Sequence, residues 1–198
     1  MTVSRAFITD RLLRLEDYRS IEPVSEEHAP AAVLVPLIER PEGLSVLFTL
    51  RTLHLRRHAG QIALPGGRAD PGETPWETAL REAWEEVGID PALVEVAGLS
   101  EPFWTRTGYV ITPVVGFVSP AVTLTPNPDE VAEVFEAPFD FLMDPANHQS
   151  LMREFPDGVS REVWAIPYQD RHIWGVTAIL LRSLYMRLFG KPDGSPQA

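Results

Sequence analysis

The sequence predicts an α+β protein in which a mixed sheet is sandwiched between helices, an α/β/α arrangement. Short aliphatic and β-branched runs fall on both sides of one strongly amphipathic helix, and a second amphipathic helix closes the chain. At 198 residues the chain suits one domain. With 44% hydrophobic and 23% charged residues, its composition supports a core of normal size.

Residues 1–30 are expected to form an N-terminal helix and connector. Leu12, Leu13, Leu15 and Tyr18 lie among charges and fit an amphipathic helix over residues 5–20, followed by a polar, Pro-containing link. The main domain is expected over residues 31–190. Ala31–Leu37 and Leu44–Leu50 read as the two strands of a hairpin, separated by the turn residues Glu39-Arg40-Pro41-Glu42-Gly43. Pro65-Gly66-Gly67 and Pro71-Gly72 read as loop. The helix that follows, Pro75–Val87, has Thr74 as N-cap, Pro75 at its first position, Glu77 three residues after the cap and Gly88 as its stop. Ala79, Leu80, Ala83, Trp84 and Val87 give it one apolar face. Val94–Leu99, Ile111–Val118 and Val163–Ile166 read as further strands, Thr177–Phe189 as the closing helix, and residues 191–198 as a frayed tail.

The formal net charge of −11 argues against a protein that holds nucleic acid by broad phosphate neutralisation. An acidic chain that handles phosphates calls instead for metal ions. With no cysteine there is no disulfide framework, thiol nucleophile or cysteine zinc site. The N-terminus lacks the apolar run of a signal peptide, and no stretch approaches the roughly 20 apolar residues of a membrane span, so no membrane partner and a cytoplasmic location are expected.

The chemistry concentrates on the central helix. Glu82, Glu85 and Glu86 stand at i, i+3 and i+4, so their carboxylates share one face and repel one another. A divalent cation removes that conflict. Oxygen-only donors select a hard ion, magnesium first and manganese second. Glu-Glu pairs in general are solvated helix faces, but the surroundings of this one differ. Gly67, Glu73, Arg81-Glu82-Ala83, Glu85-Glu86 and Gly88-Ile89 stand at the spacing of the Nudix box, and the sequence resembles that box at every fixed position. Ala83 is smaller than the Leu, Ile or Val often found there.

The resemblance implies a Nudix fold and metal-dependent hydrolysis of a nucleoside diphosphate linked to another group. By position it makes Glu82, Glu85 and Glu86 metal ligands and catalytic residues, with Glu82 also orienting or deprotonating water and the Gly67 carbonyl a further ligand. Glu73 and Arg81, with Gly66 and Gly67, become structural support. Glu133, and beside it Glu130, is a candidate to lend a late-loop carboxylate to the reaction. Metal-assisted attack by water needs no Ser-His-Asp triad, and none is legible.

Upstream, Thr49, Arg51, Arg56, Gly60 and Pro65-Gly66-Gly67 match the spacing of a second signature, that of coenzyme A pyrophosphatases within the Nudix group; Phe48, Thr52 and Leu64 depart from its usual residues. That likeness implies cleavage of coenzyme A or its derivatives to 3′,5′-ADP and 4′-phosphopantetheine. Arg51 and Arg56 would then bind substrate and read the ribose 3′-phosphate, while Arg57 and His58 are equally well solvated loop residues. The rivals are a Nudix hydrolase of ADP-ribose, dinucleoside or NADH-type substrates, and a non-catalytic nucleotide-sensing module, which the complete glutamate set disfavours. Tyr109 and Trp104 read as core before base-stacking residues. His148 and His172 read as packing or surface groups. A small-molecule nucleotide substrate is the expected partner, and a homodimer stays open.

Overall fold

The computed structural model describes residues 3–18, 28–55, 58–154 and 158–190. In chain order the elements are α1 (Arg5–Thr9), β1 (Ala29–Arg40), β2 (Gly43–Arg51), β3 (Ile62–Ala63), β4 (Gly66–Arg68), α2 (Pro75–Val87), β5 (Val94–Leu99) and β6 (Phe103–Trp104). There follow β7 (Tyr109–Val118), β8 (Val131–Pro138), α3 (Phe139–Leu142), β9 (Gln149–Glu154), β10 (Ser160–Tyr168), β11 (Arg171–Trp174) and α4 (Val176–Phe189).

Among the described residues, eight strands form one mixed sheet along the path β3-β2-β1-β7-β5, with β4 on β1, β6 on β7 and β8 on β2. β1 and β7 run parallel from Ala29↔Tyr109 to Ile38↔Val118, and the other pairings are antiparallel. β9, β10 and β11 form a separate antiparallel sheet.

Strand alternation sends side chains to two cores. On one face Leu34, Leu47 and Val114 pack under Ala79, Ala83 and Val87 of α2. On the other, Val46, Phe48 and Val115 meet Leu180, Leu181 and Leu184 of α4 together with Ile166 and Ile173 of the second sheet. This is the expected helix–sheet–helix sandwich. Phe48 and Phe139 are fully buried, and burial of such a side chain contributes about 2–3 kcal/mol. No described helix is long and apolar enough to cross a membrane.

Several expectations are corrected. The helix expected over residues 5–20 is only α1, capped by Ser4, whose Oγ accepts from the Phe7 amide at 3.2 Å, with a short 3₁₀ turn at Leu15–Asp17. Leu13 leaves the helix and exchanges two backbone hydrogen bonds of 2.9 Å with Leu99. Pairing with a sheet strand outweighs the weak propensity of so short a helix. Ile8 and Leu12 pack into the α4-side core. The hairpin strands run on to Arg40 and Gly43, leaving a turn of Pro41 and Glu42.

The Pro-Gly-Gly stretch read as loop enters β4, where Gly66 and Gly67 pair with Val33 and Ala32. β8 escaped the alternation reading because Glu133 and Glu136 interrupt its apolar residues. Its ladder with β2 and the Arg40–Glu136 pair, bonded at 3.0 and 2.6 Å, hold it in place. Trp84 does not belong to the apolar face of α2; it is 53% exposed. The tail at 191–198 lies outside the described residues.

Candidate active site

The site is built on α2, and its sequence fixes both ends of that helix. Thr74 and Glu77 form a capping box: the Thr74 hydroxyl accepts from the Glu77 amide at 3.4 Å, and the Glu77 carboxylate accepts from the Thr74 amide at 2.8 Å. Gly88 ends the helix at φ 73°, where a side chain would be strained.

The loop before the helix is tied to it by Arg81. Its Nε and Nη2 donate to Glu73 at 2.7 and 3.0 Å, and Nη2 also donates to the Arg68 carbonyl at 3.1 Å. Glu73 further accepts from the Thr78 hydroxyl and the Asp70 amide, each at 2.9 Å. With the guanidinium the dominant partner, the Glu73 carboxyl is held down to about 2, and the Arg81 guanidinium is pushed up.

Glu82, Glu85 and Glu86 share one side of α2, in graded exposure. Glu86 is 3% exposed; its carboxylate accepts from the Gly66 amide at 3.1 Å and from Arg51 Nη1 at 3.3 Å. Burial dominates and pushes its pKa up to about 7, opposed by the Gly66 amide and Arg51 and reinforced by Glu130 and Glu82. Burial likewise raises Glu82, against Arg81 and with help from Glu85 and Glu130. A Cβ on Gly67 would stand 2.5 Å from the Glu82 carboxyl group, so glycine alone lets that carboxylate lie against β4.

A divalent cation suits this donor set. The donors are hard oxygens, and burial beside other carboxylates raises the proton affinities of Glu82 and Glu86 despite their arginine partners, so further positive charge is favoured there. As the side chains stand, Arg81 Nη1 holds Glu82 at 2.8 Å and Glu85 at 3.2 Å. No three carboxylates among the described residues form a finished ligand cage. Holding an ion requires Glu82 and Glu85 to rotate off Arg81.

Arg51 lies on the α2 side of the sheet, with its Nε buried and without a hydrogen-bond partner among the described residues. Arg56 and Arg57 lie outside the described residues. His58 bonds Gln61 at 2.9 Å. Glu133 is a correction: it pairs with Leu50 in register and turns to the face opposite α2, where it bonds Arg171. Glu130 takes its place near the cluster, acting electrostatically on both Glu82 and Glu86. Its loop docks on the end of α2 through Asn127 N to Glu86 O at 2.9 Å and Thr125 N to Val87 O at 2.8 Å. The one sequence signal for Glu130 was the stretch Asn127-Pro128-Asp129-Glu130. Trp104, expected in the core, is 41% exposed; Tyr109 is partly buried. His148 packs edge-on to Tyr185 and bonds the Leu142 carbonyl at 2.7 Å.

A capped helix bearing three glutamates beside a mixed sheet, with an ion pair locking the preceding loop, defines a Nudix-type hydrolase. The NUDIX domain family model matches residues 28–157. A protein of Escherichia coli O7:K1 named Uncharacterized Nudix hydrolase NudL is 39% identical over 191 residues, covering 92% of this chain and 98% of its own. Its namesake from Escherichia fergusonii is 39% identical over 194 residues, covering 97% and 100%. A solved NUDIX hydrolase from Nitrosomonas europaea shares the fold at a TM-score of 0.51 and 17% identity, over 87% of this chain and 76% of that one. The chain belongs to the Nudix family and is an enzyme of its pyrophosphohydrolase class. Enzymes of this family generally use divalent metal ions.

Proposed function

We propose that the enzyme hydrolyses the diphosphate of coenzyme A or its derivatives, giving 3′,5′-ADP and 4′-phosphopantetheine. Magnesium or manganese would be held by Glu82, Glu85, Glu86 and the Gly67 carbonyl. The observation that supports the substrate is the position of Arg51, 3.3 Å from Glu86. The arginine of the coenzyme A signature thus stands against the helix of the Nudix box.

The ion, when bound, neutralises the diphosphate and makes a coordinated water more acidic. Around it the protein's own groups position the reactants, which is most of what phosphoryl transfer asks of a protein. Glu82 orients or deprotonates the attacking water. Arg51 trades its contact with Glu86 for a substrate phosphate oxygen, and its single-sided pairing leaves donors for that purpose. Glu73 anchors Arg81 through two hydrogen bonds, so the guanidinium stays in place when Glu82 and Glu85 leave its Nη1 for the cation. Glu130 adds negative charge beside Glu82 and Glu86 and so strengthens the cluster's demand for positive charge.

The test is chromatographic. Purified protein with manganese should convert coenzyme A to the two products faster than it cleaves ADP-ribose or NADH at equal concentration. Intact coenzyme A alongside cleaved ADP-ribose or dinucleoside polyphosphate would overturn the substrate and leave the enzyme class standing.

A further inference from the structure

A cavity of about 320 Å³ lies across the sheet from α2. Its apolar wall is Leu50, Ile62, Phe135 and Trp174. Its polar side consists of Glu133, Asp170, Arg171 and His172. The size falls in the range of small-ligand pockets. The family match ends at residue 157, so the residues from Asp170 to Trp174 add a wall that the shared domain does not itself supply.

Charge decides what this cavity takes. Arg171, its one arginine, is neutralised twice: it bonds Glu133, and it bonds Asp170 at 3.0 Å. Its guanidinium also lies over the Phe135 ring, 4.4 Å from the centroid. Two carboxylates, Glu133 and Asp170, face one guanidinium, Arg171, in the lining, a balance that disfavours phosphate. Among the described residues, Arg51 at this end of β2 faces the other way, toward Glu86. Leu50 and Arg51 are consecutive residues on opposite faces of one strand end. The cavity, lined by Leu50, thus lies at the strand end whose other face carries Arg51.

We propose that this cavity seats the uncharged, amide-bearing arm of the substrate, the pantetheine portion if the coenzyme A reading on which this inference rests is right. The adenosine half carries a further phosphate and is turned away by Glu133 and Asp170. The arm carries no charge, and it matches the lining on both counts. Its methyl groups suit Leu50, Phe135 and Trp174, and its amide and hydroxyl donors suit the two carboxylates.

The experiment measures calorimetric binding of each product, 4′-phosphopantetheine and 3′,5′-ADP, to the full chain with magnesium. Trp174→Ala removes a wall, and His172→Trp, at an exposed position that tolerates bulk, fills the cavity. Both variants should weaken 4′-phosphopantetheine at least fivefold and leave 3′,5′-ADP within twofold. Weakening of 3′,5′-ADP instead, equal affinities in wild type and variants, or no 4′-phosphopantetheine binding in wild type overturns the proposal. Turnover of coenzyme A is read separately. Its absence with the binding pattern intact removes the substrate reading alone, and its presence with unchanged binding in both variants removes the cavity reading alone.

Discussion

Replacing Glu86 by glutamine keeps the volume of a side chain that is only 3% exposed and removes its charge. The amide oxygen still accepts from the Gly66 amide, now at 3.1 Å from the carboxylate, so the link between β4 and α2 survives. The other position, which faces Arg51 at 3.3 Å, becomes an N–H donor opposed to a cation. Two terms then act in opposite directions on stability. The repulsion costs about 1 kcal/mol at such a charge-assisted contact, and the lost cost of burying a charge offsets it, because burial already drives this carboxyl toward its neutral form. The melting temperature should therefore stay within about 4 °C of wild type. Turnover should not. Loss of one charged ligand oxygen removes at least about 2.7 kcal/mol of transition-state stabilisation, a hundredfold in kcat. The assay follows 3′,5′-ADP release by chromatography at saturating manganese, beside a thermal melt of the same sample. A variant that keeps half of wild-type turnover would refute the role given to Glu86, and a collapse in melting temperature would show that its charge serves the fold instead.

Gly67→Ala places a Cβ where the Glu82 carboxyl group now lies, 2.5 Å away; kcat should fall at least tenfold while denaturant midpoints move little, and unchanged kcat would remove Glu82 from the site. Arg51→Ala should lower kcat/KM for coenzyme A about tenfold but for dephospho-coenzyme A about threefold or less, and equal losses would end the 3′-phosphate argument. Glu73→Gln should destabilise the protein by about 1–2 kcal/mol at pH 7, a figure reduced for the partial exposure of the pair. The Glu73 carboxyl is depressed to about 2 from 4.5, so its contribution is complete above pH 4.5 and disappears as pH falls through 2. Urea unfolding of wild type and variant should thus converge between pH 4.5 and 2, and a constant gap would refute the assignment. His148 is depressed below 6.5, chiefly by burial; its neutral form favours the fold, so the contribution is full above pH 6.5 and fades below it. His148→Gln should lose less stability than wild type between pH 7 and 5.5.

The parts of the site that were legible in the sequence are those set by local geometry. Thr74, Pro75, Glu77 and Gly88 mark the ends of α2 because capping involves residues only a few positions apart. Within that helix the turn angle alone gathers Glu82, Glu85 and Glu86. The Glu73–Arg81 pair followed from the resemblance, and the structure adds the Thr78, Asp70 and Arg68 contacts that make it a knot. Short strands such as β3, β4 and β6 escaped because two or three residues show no period, and their pairing is a property of distant partners. Trp84 shows the limit of helical spacing: it satisfies the period of α2 yet lies where no partner element among the described residues covers the helix.

By itself, the sequence determined a glutamate-bearing helix with fixed ends, an acidic chain suited to a metal, and an arginine just upstream of the catalytic loop. Tertiary structure alone decided which late-loop glutamate acts electrostatically on that helix's carboxylates. The register of β8 on β2, with its irregularity at Leu50 and Arg51, turns Glu133 to the far face beside Arg171, while the loop bonded to the end of α2 through Thr125 and Asn127 keeps Glu130 near Glu82 and Glu86. A side chain's face in a strand alternates with every residue, so the face taken by Glu133 depends on the register of β8, which is fixed by pairing with β2, a strand distant in the chain.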